Sequence, residues 1–221
     1  MCISERVSWL TLALGSMLNI PILIYLSQKP EHEVIIPIIL ILGWQYALLM
    51  QIPDALAWRY PKEQYPGKIA FFLNVTQPLV LFILISIALL KLKMPLWKLT
   101  PAIVALTLYT FMTIKDVVDI KDYNIQPKEK CKYLTYTWWS PKKYILYFIS
   151  MILLIFALAP EWGYVGITLS MFIGSIVGSV IVAGYECNPG SLWCWSIAGS
   201  GVCTFIYYLI KTNKSNTFRL K

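Results

Sequence analysis

Histidine and charge are both scarce in this sequence. His32 is the only histidine among 221 residues, which argues against the His-rich metal hydrolases of membranes. Charged residues make up 14% of the chain, against about 25% in soluble domains. No glycine-rich phosphate-binding loop and no GxSxG nucleophile elbow occurs. Gly163-Tyr164-Val165-Gly166 lacks the surroundings of a potassium filter. The last apolar run has no interior lysine, so a retinal Schiff base is excluded. There is no low-complexity segment and no clear internal repeat. The first apolar run contains Asn19 and Pro21 with no small-residue cleavage site after it, so it reads as a span rather than a signal peptide.

What the chain has in abundance is apolar surface. Hydrophobic residues are 58% of the sequence and the mean hydropathy is +0.64. A single soluble core of this size could not bury so much, so the bilayer is the expected solvent. The net charge is +8, but the basic residues lie beside the apolar runs, where lipid head groups would meet them. The expected partner is therefore the lipid bilayer and not nucleic acid.

A membrane span needs about 20 mostly apolar residues. Seven segments qualify: Val7–Leu26, Val34–Trp58, Ile69–Leu90, Leu96–Ile114, Tyr144–Ala159, Trp162–Gly184 and Leu192–Lys211. They are continuous rather than alternating, which favours helices over a barrel. The expected fold is all-α: a polytopic bundle of seven transmembrane helices over residues 1–211, with a basic tail at 212–221. The long connection Lys115–Lys143 holds Tyr133-Leu134-Thr135-Tyr136-Thr137-Trp138-Trp139, a β-branched and aromatic stretch that predicts a short strand or hairpin. Its aromatic residues predict that it folds over the face bearing the N-terminus. That side of a seven-span chain collects eleven lysines and arginines against eight opposite, which tilts the N-terminus toward the cytoplasm.

Polar residues within apolar runs are the candidate site. Gln51 and Asp54 lie on one helix face with Ala55 and Trp58, beside Pro53. Asn74 and Gln77, three apart, precede Pro78 in the next span. Together they predict a polar intramembrane site of Gln51, Asp54, Asn74 and Gln77, with interhelical hydrogen bonding as the plainer alternative. Asp54 stands out, because a carboxylate in a membrane needs a specific reason; pairing with Arg59 or Lys62 at the interface would be one.

Small residues form stripes: Gly166, Ser170, Gly174 and Gly178 in the sixth span, Ser8, Thr11, Gly15 and Asn19 in the first, and Ser196, Ser200 and Thr204 in the seventh. These read as packing seams, and the Gly174/Gly178 face offers a surface for self-association. Five cysteines occur. Cys2, Cys131, Cys187 and Cys194 would share the N-terminal side as candidate metal ligands, although no Cys-x-x-Cys pair exists. Cys2 and Cys194 would each sit near a helix start, where the dipole favours a thiolate. No cofactor is implied.

Several features together resemble a family of uncharacterised multi-pass membrane proteins of large DNA viruses and protists. They are the opening Met1-Cys2-Ile3-Ser4, the glutamine-bearing second span, Asn74 with Gln77-Pro78, and Gly190-Ser191-Leu192-Trp193-Cys194 before the last helix. The resemblance implies a compact helical membrane domain in which Cys2 and Cys194 matter, and it carries no activity; their shared side in a seven-span chain makes them the expected thiol pair. The residues themselves point first to a small-solute or ion transporter or channel-like protein. The alternatives are a thiol- or metal-dependent membrane enzyme and a receptor-like host-interaction protein.

Overall fold

A computed structural model describes residues 4–119, 123, 125–128, 133–136, 141–158, 161–183 and 198–219. Caps and prolines set the helix ends. Ser4 caps α1 (Glu5–Ser27), its hydroxyl accepting the Val7 N–H at 3.3 Å, and Glu5 complements the positive end of the dipole. After Pro30, α2 (Glu31–Leu48) opens with Glu31 and Glu33 in its first turn. Pro53 lacks an N–H and crowds the carbonyl four residues back, so the helix breaks at Leu49 and Met50. The freed Leu49 carbonyl accepts the Ile52 N–H instead, at 3.0 Å, and α3 (Gln51–Arg59) continues. The next helix, α4 (Tyr65–Lys91), ends where Lys93 turns left-handed (φ 53°), letting the Met94 N–H reach the Leu89 carbonyl at 2.8 Å.

A 3₁₀ turn, Leu96–Leu99, leads into α5 (Thr100–Asp119). Strands β1 (Ile125–Lys128) and β2 (Tyr133–Tyr136) pair antiparallel, Ile125 opposite Tyr136 and Lys128 opposite Tyr133. The last helices are α6 (Pro141–Phe156), α7 (Trp162–Ala183) and α8 (Ser200–Arg219). The expected hairpin thus makes one small exception to an otherwise helical chain. The second expected span is a broken pair, α2 and α3. The last helix is described from Ser200 and runs through the basic tail to Arg219, while residues 192–197 lie outside the described set.

Three stretches are long and apolar enough to cross a membrane: Glu5–Ser27, Glu31–Arg59 through its break, and Tyr65–Lys91. Leu96–Phe111 and Ile145–Phe156 are apolar but shorter. In α1 the polarity is inverted relative to a soluble helix. Its buried residues are Ser8, Thr11, Gly15, Asn19 and Leu26, while Leu10, Leu14, Met17 and Leu18 face outward, Met17 being 71% exposed. Water would reject that arrangement and hydrocarbon favours it. The chain is therefore built for integration in a membrane.

The most apolar-walled position belongs to α2, which is packed by α1, α4, α7 and α8 and buries residues all round its axis, from Val34 to Leu48. A second group, α5 and α6, packs together beside α4. Ion pairs mark both ends of the bundle: Glu5 with Arg59 at 3.6 Å near the N-terminus, and Glu31 with Lys91 and Glu161 with Lys211 at the other end. Each is exposed and contributes little to stability, about 0–1 kcal/mol. Their positions show α1, α2–α3 and α4 running alternately up and down.

The hairpin lies against the α3–α4 corner, as its aromatic content predicts. β1 touches α3, the Tyr123 ring meets Phe71 edge-on at 5.3 Å, and Ile125 and Leu134 are buried on one face of the ribbon. Gly67 is what permits this approach, because a Cβ there would overlap the Tyr123 carbonyl. Gly67→Ala should displace the segment and destabilise the fold by about 1–3 kcal/mol. Limited proteolysis reads the effect: cutting within residues 123–136 should accelerate in the variant, and an unchanged rate would show that the hairpin does not depend on that contact.

Candidate functional site

Hydrocarbon offers no hydrogen bonds, so polar side chains in the bundle must find partners in one another or in their own helix. Most hydroxyls use their own helix. Thr11, Thr113, Ser150 and Thr204 each donate to the carbonyl four residues back, at 2.8–3.0 Å, and Ser175 donates three back, at 2.7 Å. Tyr46 and Thr76 join α2 to α4 at 2.6 Å; the Thr76 proton is already directed to the Phe72 carbonyl at 2.7 Å, so Tyr46 donates.

Amides form the interhelical links. Asn19 Nδ2 donates to Gln45 Oε1 at 3.0 Å, and Gln45 Nε2 donates to Ser16 Oγ at 2.8 Å, tying α1 to α2. Asn19 Oδ1 sits against Gly201 of α8, where a Cβ would overlap it. The small-residue stripes of α1 and α8 are thus seams: Ser8, Thr11, Gly15, Asn19, Ser200 and Thr204 are all buried, and Gly15 admits Leu48. The stripe of α7 behaves differently. Gly166, Ser170 and Gly174 are exposed, because α7 buries Tyr164, Thr168, Phe172 and Ser175 on its other face.

The four residues of the expected polar site are all buried: Gln51 and Asp54 completely, Asn74 and Gln77 almost so. Arg59 pairs with Glu5 rather than with Asp54. Asp54 lies in the first turn of α3, where the helix dipole favours a carboxylate, and both it and Gln51 have further interaction partners. Pro78 leaves the Asn74 carbonyl without its helical donor, and the Tyr109 hydroxyl of α5 approaches that oxygen at 3.4 Å. Gln77 Oε1 accepts from the Tyr147 hydroxyl of α6 at 2.5 Å. Tyr109 and Tyr147 themselves meet edge-on at 6.0 Å. These two tyrosines are site neighbours that the sequence pattern does not single out, since a tyrosine in an apolar run looks like core.

Depth separates the four. Tyr46 meets Thr76, and Gly43 would meet Leu81, so α2 and α4 run antiparallel in a known register. Gln77 is then level with the turn holding Tyr46, whereas Asp54 lies eight residues beyond Tyr46, about 12 Å along the axis at 1.5 Å per residue. Gln51 and Asn74 fall between. The register thus spreads the four over depth, with Asp54 outermost on the N-terminal side and Gln77 innermost, and the bonds seen at Asn74 and Gln77 run to α5 and α6.

At the inner end Gln77 borders a cavity of about 30 Å³ between α2, α4, α6 and α7. Leu40, Ala47, Leu81, Met151 and Ile155 supply most of its apolar wall, and Trp44 and Thr168 lie on it with Gln77. Among the described residues Gln77 Nε2, Trp44 Nε1 and Thr168 Oγ1 are buried with no hydrogen-bond partner.

The expected thiol pair, Cys2 and Cys194, and the further metal candidates Cys131 and Cys187 lie outside the described residues. Cys203 is a free, half-buried thiol in α8, and no group of three metal-binding side chains occurs among the described residues. No known protein family, characterised protein or solved structure matches the chain.

The Gln77–Tyr147 bond can be measured directly. In a double-mutant cycle of Gln77→Leu and Tyr147→Phe, thermal unfolding in micelles should give a coupling of about 0.6–1.7 kcal/mol, the range found for such bonds in membranes. Strict additivity would show that the bond contributes nothing.

Proposed function

We propose that this chain is a seven-span integral membrane protein that carries a small solute or ion, with a cation or proton favoured, along the string Asp54, Gln51, Asn74 and Gln77. The observation that carries the reading is Asp54, a completely buried carboxylate at the start of a line of buried amides. Ionisable groups inside membranes are costly and mark ion or proton paths. Breaks in helices beside them are the usual companions of such paths; Pro53 supplies one, and Pro78 frees the Asn74 carbonyl within the continuous α4.

Seven spans extend the three long apolar stretches with α5, α6, α7 and α8. Supporting this, α7 runs 22 residues without a charged side chain, and Glu161 and Lys211 meet at the end of the bundle opposite Glu5 and Arg59. The termini then lie on opposite sides, with the N-terminus cytoplasmic. A second copy would pack on the Gly174/Gly178 face of α7, where none of the described residues comes within 4 Å of a Cβ placed at Gly166 or Gly174. The relation to the viral and protist family, with Cys2 and Cys194 as a thiol pair, rests on its short motifs.

Flux decides the matter. The protein is reconstituted in vesicles with an entrapped pH-sensitive dye, and proton, sodium or potassium gradients are imposed. Permeation above protein-free vesicles should appear and should fall at least tenfold in Asp54→Asn, with helical content unchanged. No flux of any of the three, or equal flux through the variant, would contradict the proposal.

A further inference from the structure

The cavity beside Gln77 has a chemistry of its own, whether or not the chain moves ions. Three polar groups line it, and they are rich in donors. Trp44 Nε1 can only donate. Gln77 Nε2 carries two N–H bonds, and its Oε1, the acceptor end of the same amide, is occupied by the Tyr147 hydroxyl. Thr168 differs from Thr11, Thr113, Ser150, Ser175 and Thr204: it does not bond back to its own helix, although the Tyr164 carbonyl is four residues away. Tyr46 also borders the cavity, but its hydroxyl is committed to Thr76. Trp44, Gln77 and Thr168 are each at least nine-tenths buried, so each bears the desolvation cost of an unmade bond, about 1–3 kcal/mol.

The lining has no Asp, Glu, Lys, Arg or His, so a charged ligand would have no counter-charge there. Water can meet these donors too, its own protons going to the Thr168 oxygen and to the second lone pair of Gln77 Oε1 or the Tyr46 oxygen, but it leaves the apolar wall without a partner. The group that fits is an aprotic oxygen with two lone pairs, carried on an apolar body that can lie against Leu40, Leu81 and Met151. Gly43, Tyr46 and Val80 on the rim are only half-buried, so the cavity reaches the outer face of the bundle, and its ligand can arrive from the hydrocarbon.

We infer that this cavity binds a small, uncharged, lipid-soluble molecule through a carbonyl-type oxygen held by Trp44, Gln77 and Thr168. At about 30 Å³ the enclosed part has room for about two water-sized groups, which suits a carbonyl and its neighbouring carbon, with the remainder of the molecule at the rim.

Pentan-2-one and pentane form the probe pair, alike in shape and differing in the oxygen. Thermal unfolding of the full chain in nanodiscs is followed against the concentration of each. Pentan-2-one should raise the Tm saturably and pentane should not. Thr168→Val, which nearly preserves shape, and Trp44→Phe, which removes the N–H with part of the ring, should each weaken the ketone about five- to tenfold, one hydrogen bond's worth. Without ligand, Thr168→Val should unfold at or above the wild-type temperature, because it removes a buried hydroxyl lacking a partner at nearly unchanged volume. Equal effects of ketone and alkane, no effect of either, or undiminished ketone binding in both variants would overturn the assignment. A site filled by water alone gives the second of these results.

Discussion

Inside this bundle a polar group can be satisfied only by protein, and the rest of the architecture follows from that constraint. Each unmade hydrogen bond costs about 1–3 kcal/mol when buried, and hydrocarbon cannot supply the missing partner. Helix α1 shows the result most plainly. Its serine, threonine and asparagine turn inward toward α2, α3 and α8, while leucines and Met17 turn outward. The inward polar stripe then dictates close approach, which is why Gly15 and Gly201 lie where Leu48 and Asn19 arrive.

Prolines extend the same logic to the backbone. Each one removes a donor and leaves a carbonyl to be satisfied elsewhere. The Leu49 carbonyl, freed by Pro53, turns to Ile52 within the chain; that of Asn74, freed by Pro78, is approached by Tyr109 from another helix. The two solutions differ in consequence. The first breaks a helix and sets Asp54 in the first turn of a new one. The second keeps α4 continuous and draws α5 against it, next to the Gln77–Tyr147 bond.

Much of this was legible in the sequence. The apolar runs mark the helices, and the β-branched and aromatic stretch at Tyr133 marks β2. The burial of Gln51, Asp54, Asn74 and Gln77 follows from their place within apolar runs. Their spread over depth does not, because helix spacing places residues on a face but says nothing of the register between two helices, which Tyr46 and Thr76 fix. The tyrosine partners were hidden for a related reason: Tyr109 and Tyr147 are apolar in pattern and polar only at their tips. The sixth-span stripe looked like the stripe of the first, yet α7 turns it outward, since packing depends on which face the bulky Tyr164 and Phe172 occupy. The cavity at Trp44 was beyond reach, because it arises where four helices fail to close.

The central claim is that hydrocarbon surrounds α1 on its apolar face while its polar face is sealed against the bundle. Spin labels placed singly along α1, in a background with the five native cysteines replaced, test it by collision with oxygen, which dissolves in lipid, and with a nickel chelate, which does not. In lipid vesicles, positions 10, 14, 17 and 18 should collide strongly with oxygen and weakly with nickel, and positions 11, 15 and 19 weakly with both. Strong nickel collisions at positions 14, 17 and 18 would place that face in water and contradict the account.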